Sequence, residues 1–246
     1  GQTGDNIDDS WGYPWLFESP ESQERTIAVW RKIAEKYKSE TIVAGYDLLN
    51  EPIAHHFDTK KLNPKLEPLY QRIVKAIREV DPNHLIFLEG AQWASKFDMF
   101  GQPFDPRLVY SFHKYWTDTG QQVIQEYLDF AAKYNVPLYM GESGENNDEW
   151  VRKFRTTLDQ HNIGWCFWPY KKLDSTSCVA SIEKPARFDE IIAYSKKARE
   201  TFEKIRSARA GVSEASKVFD ALIENCRVKN CRINSGYLRA LGMKAP

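Results

Sequence analysis

The chain has 246 residues, with 34 Lys and Arg against 34 Asp and Glu, so its formal net charge is zero. That length suffices for one large domain with a sizeable core, and the balanced charge gives no electrostatic reason to expect nucleic acid or an anionic membrane as partner. No apolar run approaches the roughly 18–20 residues of a membrane-spanning helix, and the four cysteines (Cys166, Cys178, Cys226, Cys231) lack the paired spacing of a zinc site.

Taken in chain order, "SPESQERTIAVWRKIAEKYK" (19–38) carries a helix start, with Ser19 as cap, Pro20 at the first position and Glu21 in the first turn. Ile27, Trp30, Ile33, Ala34 and Tyr37 make its apolar stripe. "TIVAGYDLLN" (41–50) reads as a buried strand. A helix is expected over "PKLEPLYQRIVKAIREVDP", regular only after Pro68, and then a strand at "HLIFLEG" (84–90). "RLVYSFHKYW" (107–116) is a strand, "GQQVIQEYLDFAAKYNV" a helix, and "PLYMGESG" (137–144) a strand. A helix from about Asn147 to His161 leads to a fifth strand, "IGWCFWPY" (163–170). After a loop, "PARFDEIIAYSKKARETFEKIRS" reads as one helix.

Strands buried on both faces and alternating with helices mean parallel β/α units. A doubly wound sheet would want a glycine-rich phosphate loop after a strand, and none is present. The fold class expected is therefore α/β, an eight-stranded (β/α)8 TIM barrel, whose site is built at the C-terminal ends of the strands.

Those ends are unusually polar. The first strand ends in Asn50-Glu51-Pro52 and the second in Glu89-Gly90. The third runs through His113 and Tyr115, the fourth ends Gly141-Glu142-Ser143-Gly144, and the fifth reaches Trp168. Alternation puts Ser111, His113 and Tyr115 on one face of their strand, and Leu138, Met140 and Glu142 on one face of theirs. Gly164, Cys166 and Trp168 share another. Pro52 disfavours the helical region for the residue before it, so Glu51 is expected to be extended at the strand tip. Its direction does not follow from parity, because bulges are common at such rims. Glu89 is a rival carboxylate but lacks the Asn-before, Pro-after setting. His55 and His56 invite a metal reading, yet adjacent histidines project differently and no H-E-x-x-H helix exists, so no metal site is expected. Asp47 is read as a structural hydrogen-bonding group of the barrel interior.

Aromatic residues make 13% of the chain, and Trp11, Trp15, Trp93 and Trp116 fall in predicted loops. Exposed aromatics suit ligands with flat apolar faces, such as sugar rings; the plain alternative is that they seal loops or cap the core. Trp93 and Trp11 are open to both readings. Lys171 and Lys172 are read either as partners of sugar hydroxyls or as a solvated pair. Cys226 and Cys231, five apart, form a disulfide in an oxidising compartment or remain free thiols.

In order and spacing, "GYDLLNEP", "HKYW", "MGESG" and "GWCFWPYKK" resemble the strand ends of glycoside hydrolase family 5, the cellulase family, over roughly residues 41–172. The resemblance implies a retaining β-glycosidase of endoglucanase type that acts by double displacement on a β-linked polysaccharide or oligosaccharide and needs no cofactor. It implies Glu142 as nucleophile and Glu51 as acid/base, with Asn50 on the sugar 2-hydroxyl and His113 and Tyr115 on substrate and nucleophile. Trp168 matches the platform under the sugar at the cleavage point, and Trp93 is added as a substrate-binding residue. A polymeric substrate suggests a secreted or periplasmic setting.

The chain departs from that pattern at its start, where "GQTGDN" resembles the tail of the loop after the third strand. The first three β/α units, on the order of 100 residues, are thus expected to be lacking, with the Arg and His they contribute in the family. Five strands cannot close a barrel, so the outer two are expected to present long apolar edges. The chain is accordingly expected to be a fragment of a longer precursor, with a preceding segment or a second chain covering those edges. Residues 1–207 are expected to form the partial catalytic domain, and 208–246 a helical extension packed on the barrel. The rival reading is a non-catalytic carbohydrate-binding fragment.

Overall fold

The computed structural model describes residues 13–197, 200–207 and 212–245, so the expectations for "GQTGDN" and Trp11 lie outside the described residues. The chain divides into two units, one of Gly1–Ser143 with Phe154–Phe167, the other of Gly144–Lys153 with Trp168–Pro246.

The first unit opens with a 3-10 turn, Trp15–Phe17, and α1 (Pro20–Tyr37). Ser19 caps α1 as expected, its Oγ accepting the Ser22 N–H at 3.2 Å, with Pro20 beginning the helix. Of the anticipated stripe only Ala34 is fully buried, and Tyr37 is exposed. Then come β1 (Gly45–Asp47), the single turn α2 (Thr59–Leu62), α3 (Leu66–Arg78), β2 (Leu85–Glu89), the single turn α4 (Ala91–Ala94) and β3 (Leu108–Tyr115). α5 (Gln125–Tyr134), β4 (Leu138–Gly144), α6 (Asp148–Gln160) and β5 (Gly164–Trp165) follow, with β4 and α6 continuing in sequence into the second unit.

The strands stand in the order β1-β2-β3-β4-β5, and the β1–β2, β2–β3 and β4–β5 pairs are parallel. Sequential order with helical crossovers is the architecture of part of a (β/α)8 barrel, as the alternation of strands and helices predicts. The outward face of the strands packs under the helices. Phe112 of β3 stacks on Tyr127 of α5 at 4.1 Å between ring centroids, and Phe97, Phe100, Tyr110 and Phe130 interlock edge to face. From α3, Leu69, Tyr70, Ile73, Val74 and Ile77 are buried.

At the N-terminal end of the strands the core is closed by polar groups. Asp81, fully buried, accepts the Tyr46 hydroxyl and faces His84 Nδ1, both at 2.6 Å. Arg78 grips Asp105 with two nitrogens and donates to the carbonyls of Asp81 and His84. Conserving hydrogen bonds around a buried carboxylate in this way offsets its desolvation, and at this end of a barrel the role is stability.

The second unit holds β6 (Lys171–Leu173), β7 (Ala180–Ile182), α7 (Phe188–Ser195), α8 (Phe202–Ser207), α9 (Val212–Asn225), β8 (Arg232–Ile233) and α10 (Ser235–Ala240). β6 pairs with β7 in parallel and β8 with β7 antiparallel, a sheet the sequence pattern does not suggest because its strands are only two or three residues long. The single helix expected over 185–207 is instead α7 and α8, an interruption for which the described contacts supply no cause. Cys226 and Cys231 are free thiols, and Cys231 Sγ faces the carbonyls of Asn225 and Arg227. Among the described residues no helix is long and apolar enough to cross a membrane.

The expected long edges need correction. β1 has three residues and β5 two, so the outer strands of the five-stranded sheet are short. Short outer strands limit the run of unpaired backbone that an edge exposes.

Candidate active site

The polar groups of the first unit converge at the C-terminal ends of β1 to β4. The β2–β3 register sets Glu89 opposite Ser111, two residues before His113. A Cβ on Gly141 would meet Ser111 Oγ at 2.6 Å and His113 Nε2 at 2.9 Å, so this glycine gives the imidazole its room.

His113 is almost fully buried and lies among three carboxylates. Its Nδ1 is 2.9 Å from Glu51 Oε1 and 3.9 Å from Glu142 Oε2, while its Nε2 is 3.3 Å from Glu89 Oε1. Tyr115 Oη donates to Glu142 Oε2 at 2.9 Å. One oxygen of Glu51, one of Glu142 and one ring nitrogen of His113 all lie within 4.8 Å of one another.

Burial by itself would lower the His113 pKa. The hydrogen bonds to Glu51 and Glu89, with the charges of Glu89 and Glu142, outweigh it and push the group up to about 10, so the imidazole is a cation at neutral pH. Desolvation raises Glu142 above the usual carboxylate range; His113 and Tyr115 oppose that shift, and Glu51 and Glu89 add to it. Asp47 is raised too, first by desolvation against the wall of the sheet and then by the charges of Glu89 and Glu142. Asp47 is nonetheless an exposed residue. The same three atoms could hold a metal ion if the imidazole gave up its proton; with the proton in place they form an ion-paired network.

Glu51 is not extended. Its φ is 45°, in the left-handed region, where its N–H donates to Glu89 Oε2 at 2.5 Å. The proline after it disfavours the right-handed helical region, and the bond to Glu89 holds the left-handed conformation in place of the extended one. Ile53, Gln92, Trp93, Ala94 and Trp116 also have positive φ, so non-glycine strain clusters after the tips of β1, β2 and β3. At about 1–2 kcal/mol per residue, such conformations persist where surrounding bonds over-determine them. Gln92, for example, is held by reciprocal side-chain bonds to Asn63 at 3.0 and 2.8 Å.

Of the expected site residues, Glu51, His113, Tyr115 and Glu142 come together. Glu142 does so against simple alternation. Tyr139 packs its ring on Phe87, and Gly141 faces His113, so Met140 and Glu142 have the parity of the opposite face. The tip of β4 turns Glu142 back to Tyr115. Asn50 is half-buried beside Glu51. Trp93 is half-buried, its ring edge-on to His55 at 4.8 Å and its Nε1 enclosed without a hydrogen-bond partner among the described residues. His56 instead packs by Phe57, so the adjacent histidines do project differently. Trp168 belongs to the second unit and is half exposed; a Cβ on Gly144 (φ 121°) would meet its carbonyl at 2.5 Å. Lys171 and Lys172 are engaged there, with the Cys226 carbonyl and with Glu145. Glu89, set aside as a rival acid, is the group sequence reasoning undervalued. The signal was its place as a strand-tip carboxylate in register with "SFH".

A family model described as Cellulase (glycosyl hydrolase family 5) matches residues 9–174. The chain is 36% identical over 155 residues to a β-xylosidase of Phanerodontia chrysosporium, covering 62% of this chain and 29% of that protein. It is 25% identical over 221 residues to endoglucanase C of Acetivibrio thermocellus, covering 65% of this chain and 63% of that one. The chain thus spans less than two thirds of the length of either relative. Among solved structures, endoglucanase Cel5A of Thermotoga maritima superposes with a TM-score of 0.57 at 21% identity, over 68% of this chain and 64% of that one. That protein also has structures with mannotriose and with cellobiose.

Proposed function

The chain belongs to the cellulase family, glycosyl hydrolase family 5, and from that premise we propose a retaining β-glycoside hydrolase of endoglucanase type, with Glu142 as nucleophile and Glu51 as acid/base. The observation that carries the reading is the approach of the two carboxyl groups to within 4.8 Å. Double displacement wants carboxyls about 5–5.5 Å apart, whereas inversion needs roughly 6.5–9.5 Å to admit a water.

In the first step Glu142 attacks the anomeric carbon while Glu51 gives its proton to the leaving oxygen. A neutral Glu51 can accept the His113 Nδ1–H on its carbonyl oxygen and carry the acid proton on the other. Tyr115 and the imidazolium favour the ionised form of Glu142, the form that attacks. In the second step Glu51, left as a carboxylate once it has given up its proton, takes a proton from the water that attacks the anomeric carbon, and Glu142 departs as its carboxylate. Asn50 is assigned to the sugar 2-hydroxyl, Trp93 to the cleft wall and Trp168 to the platform. Two carboxyl groups carry the reaction, with no cofactor required. The T. maritima relative's complexes with cellobiose and mannotriose support β-linked hexose oligomers as the substrate class. A polymer of that kind implies a secreted or periplasmic setting. The catalytic domain is assigned to residues 1–207, with 208–246 as an extension.

The test is hydrolysis of a panel of β-glycans and aryl β-glycosides, with the anomer released first followed by NMR. The β-anomer is expected first; α-anomer would overturn double displacement. The second reading, a non-catalytic carbohydrate-binding fragment, is favoured by the chain spanning only part of its relatives' length. Sugar binding with no turnover, unchanged in Glu142→Gln, would establish it.

The outer edges of β1 and β5 are assigned to pairing with further strands, from a longer form of this chain or from another chain. Joining the three preceding β/α units of a relative to this chain is expected to raise its soluble yield and its activity. Unchanged values would count against that assignment.

A further inference from the structure

We propose that Glu89 is a positioning residue for Glu51, holding its backbone with one carboxylate oxygen and, through His113, its side chain with the other. The inference rests on the reading of Glu51 as acid/base. Glu89 stands at the end of β2 with its side chain 3% exposed, too enclosed to meet a substrate. A buried carboxylate is costly unless its oxygens are engaged, and here both lead to the same residue. Oε2 accepts the Glu51 N–H at 2.5 Å. Oε1 lies 3.3 Å from His113 Nε2, whose ring presents Nδ1 to Glu51 Oε1 at 2.9 Å. The result is a closed circuit of Glu89, the Glu51 backbone, the Glu51 carboxyl and His113.

The circuit is anchored from behind. Tyr70 Oη, on α3, donates to the Glu89 carbonyl at 2.9 Å, and Gly141 leaves the space that His113 fills. The groups that face the imidazole are Glu51 from beyond β1, Glu89 from β2 and Glu142 from β4, with Asp47 of β1 adding a further acid and Tyr115 of β3 bonded to Glu142. Glu89 touches both the backbone of Glu51 and the ring that holds its side chain. Without it, the left-handed turn that aims Glu51 across at Glu142 loses its hydrogen-bond acceptor.

The test is Glu89→Gln in the 246-residue chain, with two readouts. The first needs no turnover: the pH titration of the His113 ring by NMR is expected to move down by at least about one pH unit when the charge on its Nε2 side is removed. An unmoved titration overturns the circuit. The second compares leaving groups. Dinitrophenolate departs without a proton, and azide can replace water without a base, so dinitrophenyl β-cellobioside with azide bypasses Glu51 in both steps. Glu89→Gln is expected to lose about 100-fold on a cello-oligosaccharide, the scale of a misplaced catalytic group, and much less on the bypass substrate. Equal losses on the two would make Glu89 structural only and overturn its positioning role. Glu89→Asp keeps the charge but shortens the reach, and is expected to show the same leaving-group dependence. Wild-type rates in that variant would also overturn the proposal, and it stands in should the glutamine variant not fold. If the unsubstituted chain turns over neither substrate, the glycosidase reading fails, while the imidazole titration still decides the circuit.

Discussion

Glu142→Gln is expected to reduce sugar release by roughly a thousandfold or more, equivalent to about 4 kcal/mol of transition-state stabilisation. The amide is isosteric, so Tyr115 keeps a neighbour and the fold should be unaffected. What disappears is the nucleophile itself, and no leaving group however good can restore it. Glu51→Gln removes the acid and base but leaves the nucleophile, so its loss should shrink on a substrate whose leaving group needs no proton. Kinetics on dinitrophenyl and unactivated β-glycosides, for both variants, separate the two roles. Comparable leaving-group dependence in both would mean the roles are wrongly divided. Retained activity in Glu142→Gln would exclude it as nucleophile.

The second large effect concerns the buried cation. The His113 pKa stands at about 10, above its ordinary value of 6.5. The folded state therefore holds this proton more tightly than the unfolded chain. Its stabilising contribution is fully present below about pH 6.5 and is lost as pH rises through about 10. Asp47 and Glu142 are raised as well, with the same sign. The Asp47 contribution fades between its ordinary value of 3.8 and about 8. The fall between pH 8 and 10 thus reports on His113 and not on Asp47. Denaturant unfolding of the chain should show stability falling across that interval. His113→Gln should flatten the slope and cost about 3–5 kcal/mol at pH 7, because the buried Glu89 carboxylate loses its counter-charge. An unchanged slope in the variant would show that the imidazole is not charged in the folded chain.

The barrel units were legible because two periodicities alternate along the chain and because polar residues recur at the same point of each repeat. Asn50-Glu51, Glu89, His113-Tyr115 and Glu142 are visible in the sequence itself as strand ends. The cap of α1 was equally local, since Ser19 and Pro20 act on their own backbone. Strand lengths at the two edges were less legible, because pairing and not propensity determines where a ladder stops. The β6–β7–β8 sheet was invisible for a related reason: two- and three-residue strands have no measurable period, and β8 pairs with a segment far from it in sequence.

By itself the sequence determined which side chains stand at the strand ends, since alternation and punctuation are properties of the local chain. Tertiary structure decided how they pair. Parity sends Glu142 to the wrong face, and the proline rule alone leaves Glu51 extended. The hydroxyl of Tyr115 on Glu142 and the Glu89 carboxylate on the Glu51 N–H correct both. Those bonds cross between strands, where hydrogen-bond energy outweighs a local backbone preference of about 1–2 kcal/mol. The charge on His113 is of the same kind, for it depends on carboxylates from β2, β4 and the loop after β1 that surround one ring.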